Sequence, residues 1–214
     1  MSDGDRFQAA IAADVLAATS ARAELLQSIV EVARAIFVAR AASIALLDAG
    51  AGDFVFDAVA GEGAGTLVGT RFPSGEGIAG TVVQTGDPVI IDDLSQDPRF
   101  ARDLAAGTGY VPSAMMVAPL LRGERTLGVL SVLDRGASGR STLQELDLLV
   151  HFAGQAALAL DGGEAAGRAA ALLEGADEEL ASVATLARRV AALTGERRAA
   201  GLALLNALGV LLRE

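Results

Sequence analysis

The sequence predicts an α+β domain with a central, largely antiparallel sheet of five or six strands and helices on one face. Short apolar runs with the alternation of half-buried strands are separated by glycine-containing turns. Longer segments before and after them repeat apolar residues every three or four positions, the spacing of one helix face. The chain has 214 residues, 52% of them hydrophobic, which suffices for one good-sized domain and an appendage.

Residues 5–38 are predicted to be helical. Between Phe7 and Val15 apolar residues recur at four-residue spacing, and a second apolar stripe runs from Leu25 to Ile36. Thr19-Ser20 separates the two stripes. A helix break there stays open as an alternative, because Ser20 equally fits a solvent-facing helical position.

Two strands are predicted at residues 42–47 and 54–59, around a glycine-containing turn. In the second strand, Phe54, Phe56 and Ala58 are expected to share one face. A flexible connection at 61–65 then leads to a short strand predicted at 66–72. The connection lacks the lysine, the adjoining hydroxyl and the helix of a phosphate-binding loop, so we interpret it as a plain linker.

The sequence pattern in the middle of the chain predicts two short helices and a strand. A helix begins among the glycines of residues 75–80 and ends at Gly86-Asp87-Pro88, where glycine permits a left-handed exit and proline prevents continuation. Residues 89–91 predict a short buried strand. Asp97-Pro98 predicts the next helix, with aspartate as the N-cap and proline at the first helical position.

A β-hairpin and a long helix follow. The apolar runs 113–121 and 126–134 flank a glycine turn and predict the hairpin. Ser141-Thr142 then caps a helix that is expected to end at Asp161-Gly162-Gly163. Its predicted apolar side consists of Leu146, Leu149, Val150, Ala153 and Ala157.

The predicted organisation is an N-terminal helix at 1–20, a domain at 21–161 and an extension at 162–214. In the extension, apolar residues spaced by three and four positions predict two amphipathic helices, with a leucine-rich face between Leu202 and Leu212. Two helices alone bury little surface, so we expect them to dock on the domain or on a second subunit.

Composition excludes several functions. The chain has no cysteine, which removes disulfides, thiolate catalysis and cysteine-based metal sites. A net charge of −10 without an arginine cluster argues against nucleic-acid binding. The sequence has neither a signal-peptide pattern nor an uninterrupted apolar span, so we expect a cytoplasmic protein without a membrane partner.

The order of these parts resembles the GAF domain, a small-molecule-sensing module of signalling proteins, over roughly residues 25–160. The resemblance implies a GAF/PAS-like fold, and it implies a homodimer through the helices that flank the domain. A monomer in which the first helix covers the sheet is the alternative. The matching segments are Gly75-Glu76-Gly77-Ile78-Ala79-Gly80, Thr85-Gly86-Asp87-Pro88-Val89, Asp97-Pro98-Arg99-Phe100, the run 113–120, and Leu127-Gly128-Val129-Leu130.

By this resemblance, a pocket would be lined from the segment 71–135. Most candidates are apolar, which suits a small, largely apolar or planar ligand. The alternative is that Phe72, Phe100 and Met115 simply fill the space. The candidate ligand-binding residues are Phe72, Ile78, Ile91, Asp92, Phe100, Tyr110, Ser113, Met115 and Ser131.

The other ligands of GAF-like modules have residue signatures that are largely missing. Bilin attachment and methionine sulfoxide reduction need cysteine. Cyclic-nucleotide-binding relatives carry Asn-Lys, Phe and Asp-Glu where this chain has Asp134-Arg135, Ser141 and Glu145-Leu146. The single histidine, His151, is interpreted as a packing or surface residue, not a haem or metal ligand.

We therefore assign no catalytic residues, metal site or cofactor. Asp92, Asp93 and Asp97 resemble a hard-cation cluster but fit strand-ending and helix-capping roles better. No Gly-x-Ser-x-Gly nucleophile motif occurs.

The resemblance predicts a cytoplasmic sensory or regulatory protein, not an enzyme, that binds a small ligand and signals through its flanking helices to a partner protein. The alternative is a ligand-free dimeric interaction module with a helical docking tail.

Overall fold

The computed structural model describes residues 3–48, 50–137 and 139–174, and side chains within 17–160 of these. The chain divides into two compact units, and the sheet lies in the unit Leu25–Leu158. The other unit contains the first part of the first helix and the last part of the final helix. The elements are α1 (Asp3–Ile36), β1 (Ala41–Asp48), β2 (Asp53–Gly61), β3 (Arg71–Pro73), α2 (Gly77–Thr85), β4 (Val89–Ile91), a short 3-10 helix (Leu94–Gln96), α3 (Arg102–Gly107), β5 (Met115–Arg122), β6 (Arg125–Leu133) and α4 (Thr142–Glu174).

The six strands form one sheet in the order β3-β2-β1-β6-β5-β4, and every neighbouring pair is antiparallel. This confirms the predicted α+β class. It also confirms the hairpin, whose strands β5 and β6 close at Arg122 opposite Arg125. Strands β1 and β6 approach closely at Gly128, where a Cβ would lie 2.2 Å from the carbonyl oxygen of Ala45. A larger residue at position 128 would therefore push the two central strands apart.

One face of the sheet is closely packed against the two long helices. Phe37, which follows α1, contacts Phe152 of α4 edge-on, with ring centroids 6.4 Å apart. The Gln27 side chain of α1 donates a hydrogen bond to the carbonyl oxygen of Val59 in β2. The fully buried side chains of these helices and of this sheet face include Leu26, Val30, Ala33, Ile44, Met116, Leu120, Leu130 and Leu149.

A β-bulge changes the expected facing of β2. The register shifts between Ile44 and Ala45, so that Ile44 lies opposite Ala58 while Ala45 lies opposite Phe56. Asp57 is the extra residue of β2. The prediction that Ala58 shares a face with Phe56 is therefore wrong, because the bulge turns Ala58 toward the side of Ile44.

Several element bounds differ from the predictions. Helix α1 continues through Thr19-Ser20 without a break. Strand β3 is confined to Arg71–Pro73, because residues 62–70 form turns. The short strand β4 is present as predicted but half-buried, since it is an edge strand of the sheet.

Helix α3 begins at Arg102, not at Asp97-Pro98. The Asp97 carboxylate instead accepts hydrogen bonds from the backbone and the guanidinium of Arg99, each at 2.9 Å, which closes a local turn. Asx turns of this kind compete with helix initiation. The predicted helix α2 is confirmed, and Gly86 ends it with φ 74°.

Helix α4 begins as predicted and ends later than predicted. The Ser141 hydroxyl accepts a hydrogen bond from the backbone of Gln144 at 3.3 Å, and the Gln144 side chain accepts one from the backbone of Ser141 at 2.9 Å. This reciprocal pair is a capping box. The helix continues to Glu174, so the predicted end at Asp161-Gly162-Gly163 is wrong.

Val150, assigned to the apolar side of this helix, is 43% exposed. A position one residue after the buried Leu149 is rotated away from the sheet.

The remaining expectations for the C-terminal extension lie outside the described residues. Up to Glu174 the backbone of the extension continues α4, and the amphipathic pattern of 180–212 lies beyond it. Among the described helices, none combines the length and apolarity that a bilayer crossing requires. The cytoplasmic location stays a prediction.

Candidate functional site

A cavity of about 130 Å³ lies on the face of the sheet opposite α1 and α4. Its floor is formed by β1 and β6, and the start of α2 and the segment around α3 enclose it. Helix α2 is anchored there by Ile78 and Val82, which are buried against Val117 and Val129 of the sheet. Six of the predicted site residues line the cavity: Phe72, Ile78, Phe100, Tyr110, Met115 and Ser131.

Three other predicted site residues lie outside the lining. Ile91 packs against the neighbouring hydrophobic cluster. Asp92 forms an ion pair with Arg135, with 2.7 Å between Asp92 Oδ1 and Arg135 Nη2. The Ser113 hydroxyl donates to Asp134 at 2.6 Å. The polar groups of Asp92 and Ser113 are thus engaged in contacts of the surrounding structure.

Aromatic rings form one wall of the cavity. Phe72 stacks on Phe54 and also contacts Phe56, with 4.9 Å between ring centroids in both pairs. Phe56, Phe72, Phe100 and Tyr110 all line the cavity. They come from β2, from β3 and from the segment around α3, so this wall forms only when the sheet is assembled.

Two serines lie side by side on the floor. Ser43 in β1 and Ser131 in β6 are direct partners in the antiparallel register, and each is only 8% exposed. Both line the cavity, so the surface they retain opens into it. Neither hydroxyl has a hydrogen-bond partner among the described residues. Sequence reasoning found Ser131 and missed Ser43, although a serine within the apolar strand β1 was the available signal.

A network of side chains joins the cavity rim to the end of α1. Arg40 pairs with Glu62, with 3.2 Å between Nη2 and Oε1. The Arg40 guanidinium also lies over the ring of Tyr110, 5.4 Å from its centroid. The Tyr110 hydroxyl in turn donates to the Asp134 carboxylate. Burial, together with this hydrogen bond, raises the pKa of Tyr110 well above its ordinary value, so the hydroxyl stays a donor.

Asp134 fixes the segment that carries Tyr110. Its backbone is in the left-handed region, with φ 48°, immediately after β6. Its Oδ1 accepts hydrogen bonds from the backbone nitrogens of Ser113 at 2.8 Å and Ala114 at 2.9 Å. Burial acts to raise the pKa of Asp134, but hydrogen bonds from Ser113, Tyr110 and Ala114 outweigh it, and the pKa is lowered. Sequence reasoning missed this role of Asp134, because its partners are twenty residues away.

The charged residues of the cavity lining are acidic. Glu62 comes from the connection after β2, and Glu76 precedes α2. No arginine, lysine or histidine is among the described residues that line the cavity. The lining therefore offers no cation to an anionic ligand.

The remaining candidates of the sequence analysis have local contacts. Asp93 caps the short 3-10 helix by accepting from the backbone of Ser95 at 2.9 Å. Arg135, which does not line the cavity, forms ion pairs with both Asp92 and the buried Glu145. Its Nε lies 2.8 Å from Glu145 Oε2. His151 is exposed on α4, with Nδ1 2.6 Å from the carbonyl oxygen of Asp147. The described residues contain no group of three His, Cys, Asp or Glu side chains placed to hold a metal ion.

Comparison with known families agrees with this geometry. The GAF domain family model matches residues 21–160. The chain belongs to the GAF domain family. GAF domains are small-molecule-sensing and regulatory modules. The match covers the whole sheet and the cavity described above.

Relatives with this domain are diverse. The Caenorhabditis elegans protein named "Probable 3′,5′-cyclic phosphodiesterase pde-5" is 32% identical over 115 residues, which is 54% of this chain and only 15% of that protein. The GAF domain of a phosphoenolpyruvate-protein phosphotransferase (ptsP) from Coxiella burnetii superposes with a TM-score of 0.60 at 21% identity, covering 75% of this chain and 98% of that one.

The free methionine-R-sulfoxide reductase from Neisseria meningitidis, solved in complex with its substrate, superposes with a TM-score of 0.57 at 19% identity, covering 72% of this chain and 87% of that one. Both structural likenesses show the GAF fold.

Proposed function

We propose that this GAF domain protein binds a small ligand in the cavity and signals the binding through α1 and α4 to a partner protein. The observation that carries the proposal is the cavity itself, lined by aromatic rings and a few polar groups in the middle of the domain. Pockets for drug-sized molecules measure roughly 300–1,000 Å³. At about 130 Å³ the cavity suits a considerably smaller ligand.

The side-chain network at the rim offers a physical route from the cavity to α1. Glu62 and Tyr110 line the cavity, and both contact Arg40. Arg40 lies four residues after the end of α1 at Ile36. A ligand that contacts Glu62 or Tyr110 therefore competes with or reinforces the contacts of Arg40. We expect the connection 61–65 and the segment 99–112 to shift between two states for which the ligand has different affinities.

We propose that the protein is a homodimer through its flanking helices. In α1, Leu25 and Val32 are exposed and seven residues apart, and in α4 the exposed Leu143 and Val150 have the same spacing. Residues at this spacing share one helix face. Large apolar side chains repeated along a helix are typical of an interface, and two-fold dimers are the commonest assembly.

The dimer is tested by light scattering on the full chain. We expect a dimer for the wild type and a monomer for the Leu25→Glu, Val150→Glu double variant. Leu121→Glu, at a position 44% exposed in β5, is the matched control and should stay dimeric. A monomeric wild type, or a double variant that still dimerises, would refute this part of the proposal.

We propose binding without turnover. The hydroxyls that line the cavity belong to Ser43, Thr108, Tyr110 and Ser131, and His151 lies outside this lining. A hydroxyl nucleophile needs an adjacent general base, which the described lining does not supply through an imidazole. A chain without cysteine cannot use thiol chemistry. Catalytic turnover of any ligand by the purified chain would contradict this proposal.

Ligand binding is tested by native mass spectrometry of the purified chain and by calorimetry against nucleotides, nucleobases and aromatic metabolites. The decisive variant is Ala45→Leu, because Ala45 lies buried in the cavity lining and a larger side chain fills the space. Ala106→Leu makes the same change at an exposed position of α3 outside the lining. We expect binding to be lost in the first variant and kept in the second.

If the wild type binds none of these compounds, the ligand proposal is refuted and the ligand-free interaction module is favoured. That alternative is examined in the full chain by Leu205→Glu with Leu208→Glu, followed by partner capture.

A further inference from the structure

We infer that the ligand of this cavity is a small planar molecule without negative charge, anchored by the paired hydroxyls of Ser43 and Ser131. This inference rests on the proposed function, since it names the class of ligand for the same cavity. Three observations carry it: the hydroxyl pair, the acidic lining and the shape of the aromatic wall.

The hydroxyl pair indicates a polar group on the ligand. Polar side-chain atoms in folded proteins are hydrogen-bonded to protein or to water, so a hydroxyl that faces a cavity without a protein partner is available to a ligand. Ser43 and Ser131 are each only 8% exposed, neither hydroxyl bonds a described residue, and the hydroxyl oxygens are not fully buried, so the surface they retain faces the cavity. Directly opposed residues of an antiparallel pair have Cβ atoms about 5 Å apart. One polar edge that both donates and accepts can therefore bond both hydroxyls at once.

The acidic lining indicates the charge of the ligand. Glu62 and Glu76 reach the cavity from different segments, and the described lining contains no basic residue. Arg40 partly offsets Glu62 but does not line the cavity. An anion placed here would be desolvated without a counter-ion, which is unfavourable. A neutral or cationic ligand avoids that cost, and a cation gains from the aromatic ring faces.

The aromatic wall and the small volume indicate shape. Phe56, Phe72 and Phe100 present rings to the cavity, and rings pack well against planar ligands. A cavity of about 130 Å³ has room for one ring and one small substituent. The ligand class is thus a single aromatic or heteroaromatic ring with an uncharged or cationic amide-like edge. A phosphate-bearing nucleotide does not fit this class.

Three probes with the same ring test the inference directly: benzamide, benzamidine and benzoate. They share size and planarity but are neutral, cationic and anionic, respectively. Using calorimetry on the wild-type chain, we expect benzamide and benzamidine to bind at least tenfold more tightly than benzoate. Equal or tighter binding of benzoate would overturn the inference, and so would failure of all three to bind.

The Ser43→Ala, Ser131→Ala double variant tests the anchor. We expect benzamide affinity to fall at least tenfold while the melting temperature of the free protein does not fall, because the two hydroxyls make no bond that the fold would lose. Ser95→Ala is the control, since it removes a hydroxyl that bonds Asp93 outside the cavity. Unchanged benzamide affinity in the double variant would refute the anchor. If a different, anionic ligand is found by native mass spectrometry, this inference fails while the proposed function stands.

Discussion

The two faces of the central sheet differ, although the same strands build both. On the face that α1 and α4 cover, Ile44, Met116 and Leu130 are fully buried. On the other face, their immediate neighbours Ser43, Met115 and Ser131 border a cavity. Alternation along a strand places adjacent residues on opposite faces. A single strand therefore contributes to a packed core and to a binding surface at the same time.

This difference separates stability from function. On the packed face, the described side chains Ile44, Met116 and Leu130 have lost their solvent contact. The cavity face retains both space and hydrogen-bonding capacity, in the hydroxyls of Ser43 and Ser131. Substitutions on the first face should mainly alter the free energy of unfolding, and substitutions on the second should mainly alter ligand affinity.

The largest effect is expected for Met116→Ala compared with Met115→Ala. Truncating the fully buried Met116 should lower the free energy of unfolding by about 3 kcal/mol, the usual cost of a large-to-small core change. Met115 is half-buried at the cavity and has fewer contacts to lose. Met115→Ala should therefore lower the free energy of unfolding by less than half as much. Urea unfolding of both variants measures the two values. Equal costs would mean that the two faces are packed alike.

A smaller effect is expected for Asp134→Asn, which weakens the hydrogen bonds that hold Ser113 and Ala114. Hydrogen bonds to a charged group are worth roughly 1.5–3 kcal/mol, so we expect a loss of about 2 kcal/mol at pH 7. Glu124→Gln, exposed in the hairpin turn, is the control and should change little.

The same variant makes a pH prediction with a defined sign. The pKa of Asp134 is lowered in the folded protein, so its contribution to stability is present above the unfolded-state pKa of about 4. It is lost as the pH falls through the folded-state pKa. The stability difference between wild type and Asp134→Asn should therefore shrink below about pH 4, as followed by urea unfolding at several pH values. A difference that grows toward acidic pH would contradict this role of Asp134.

The smallest effect is expected at the exposed start of α4, the helix that covers the packed face. Ser141→Ala removes the hydroxyl of the capping box and should cost about 1 kcal/mol, the typical value for loss of an N-cap. Ligand affinity should not change, because Ser141 is not among the residues that line the cavity. Thermal unfolding and benzamide calorimetry together check this. A loss of affinity would show that the capping residue acts on the binding surface.

The fold was predictable where local sequence signals decided it. The hairpin, helix α2 with Gly86 at its end, and the cap at Ser141 all follow from residues close in sequence. The bulge at Asp57 was not predictable, since it depends on how β2 pairs with β1. The start of α3 was missed because Asp97 accepts a hydrogen bond from the nearby backbone of Arg99. An aspartate in such a turn has the same sequence pattern as an aspartate that caps a helix.

The cavity was predictable only in part. Three of the four aromatic residues that line it, Phe72, Phe100 and Tyr110, were candidates by the family resemblance, and Phe56 was not considered because the candidates came from the segment 71–135. Glu62 and Ser43 were missed because their position at the cavity depends on strand register and on loop conformation. Asp92 and Ser113 lie outside the lining, where each contacts a residue from a later segment, Arg135 and Asp134 respectively.

The most direct test is nuclear magnetic resonance of the methionine methyl groups. The chain contains three methionines, so ¹³C-methyl labelling gives few signals, and Met115 and Met116 lie on opposite faces of one strand. On titration with benzamide, we predict a saturable shift of the Met115 methyl signal and little change for Met116. A saturable shift of Met116 without one of Met115 would contradict the claim that the cavity face receives the ligand.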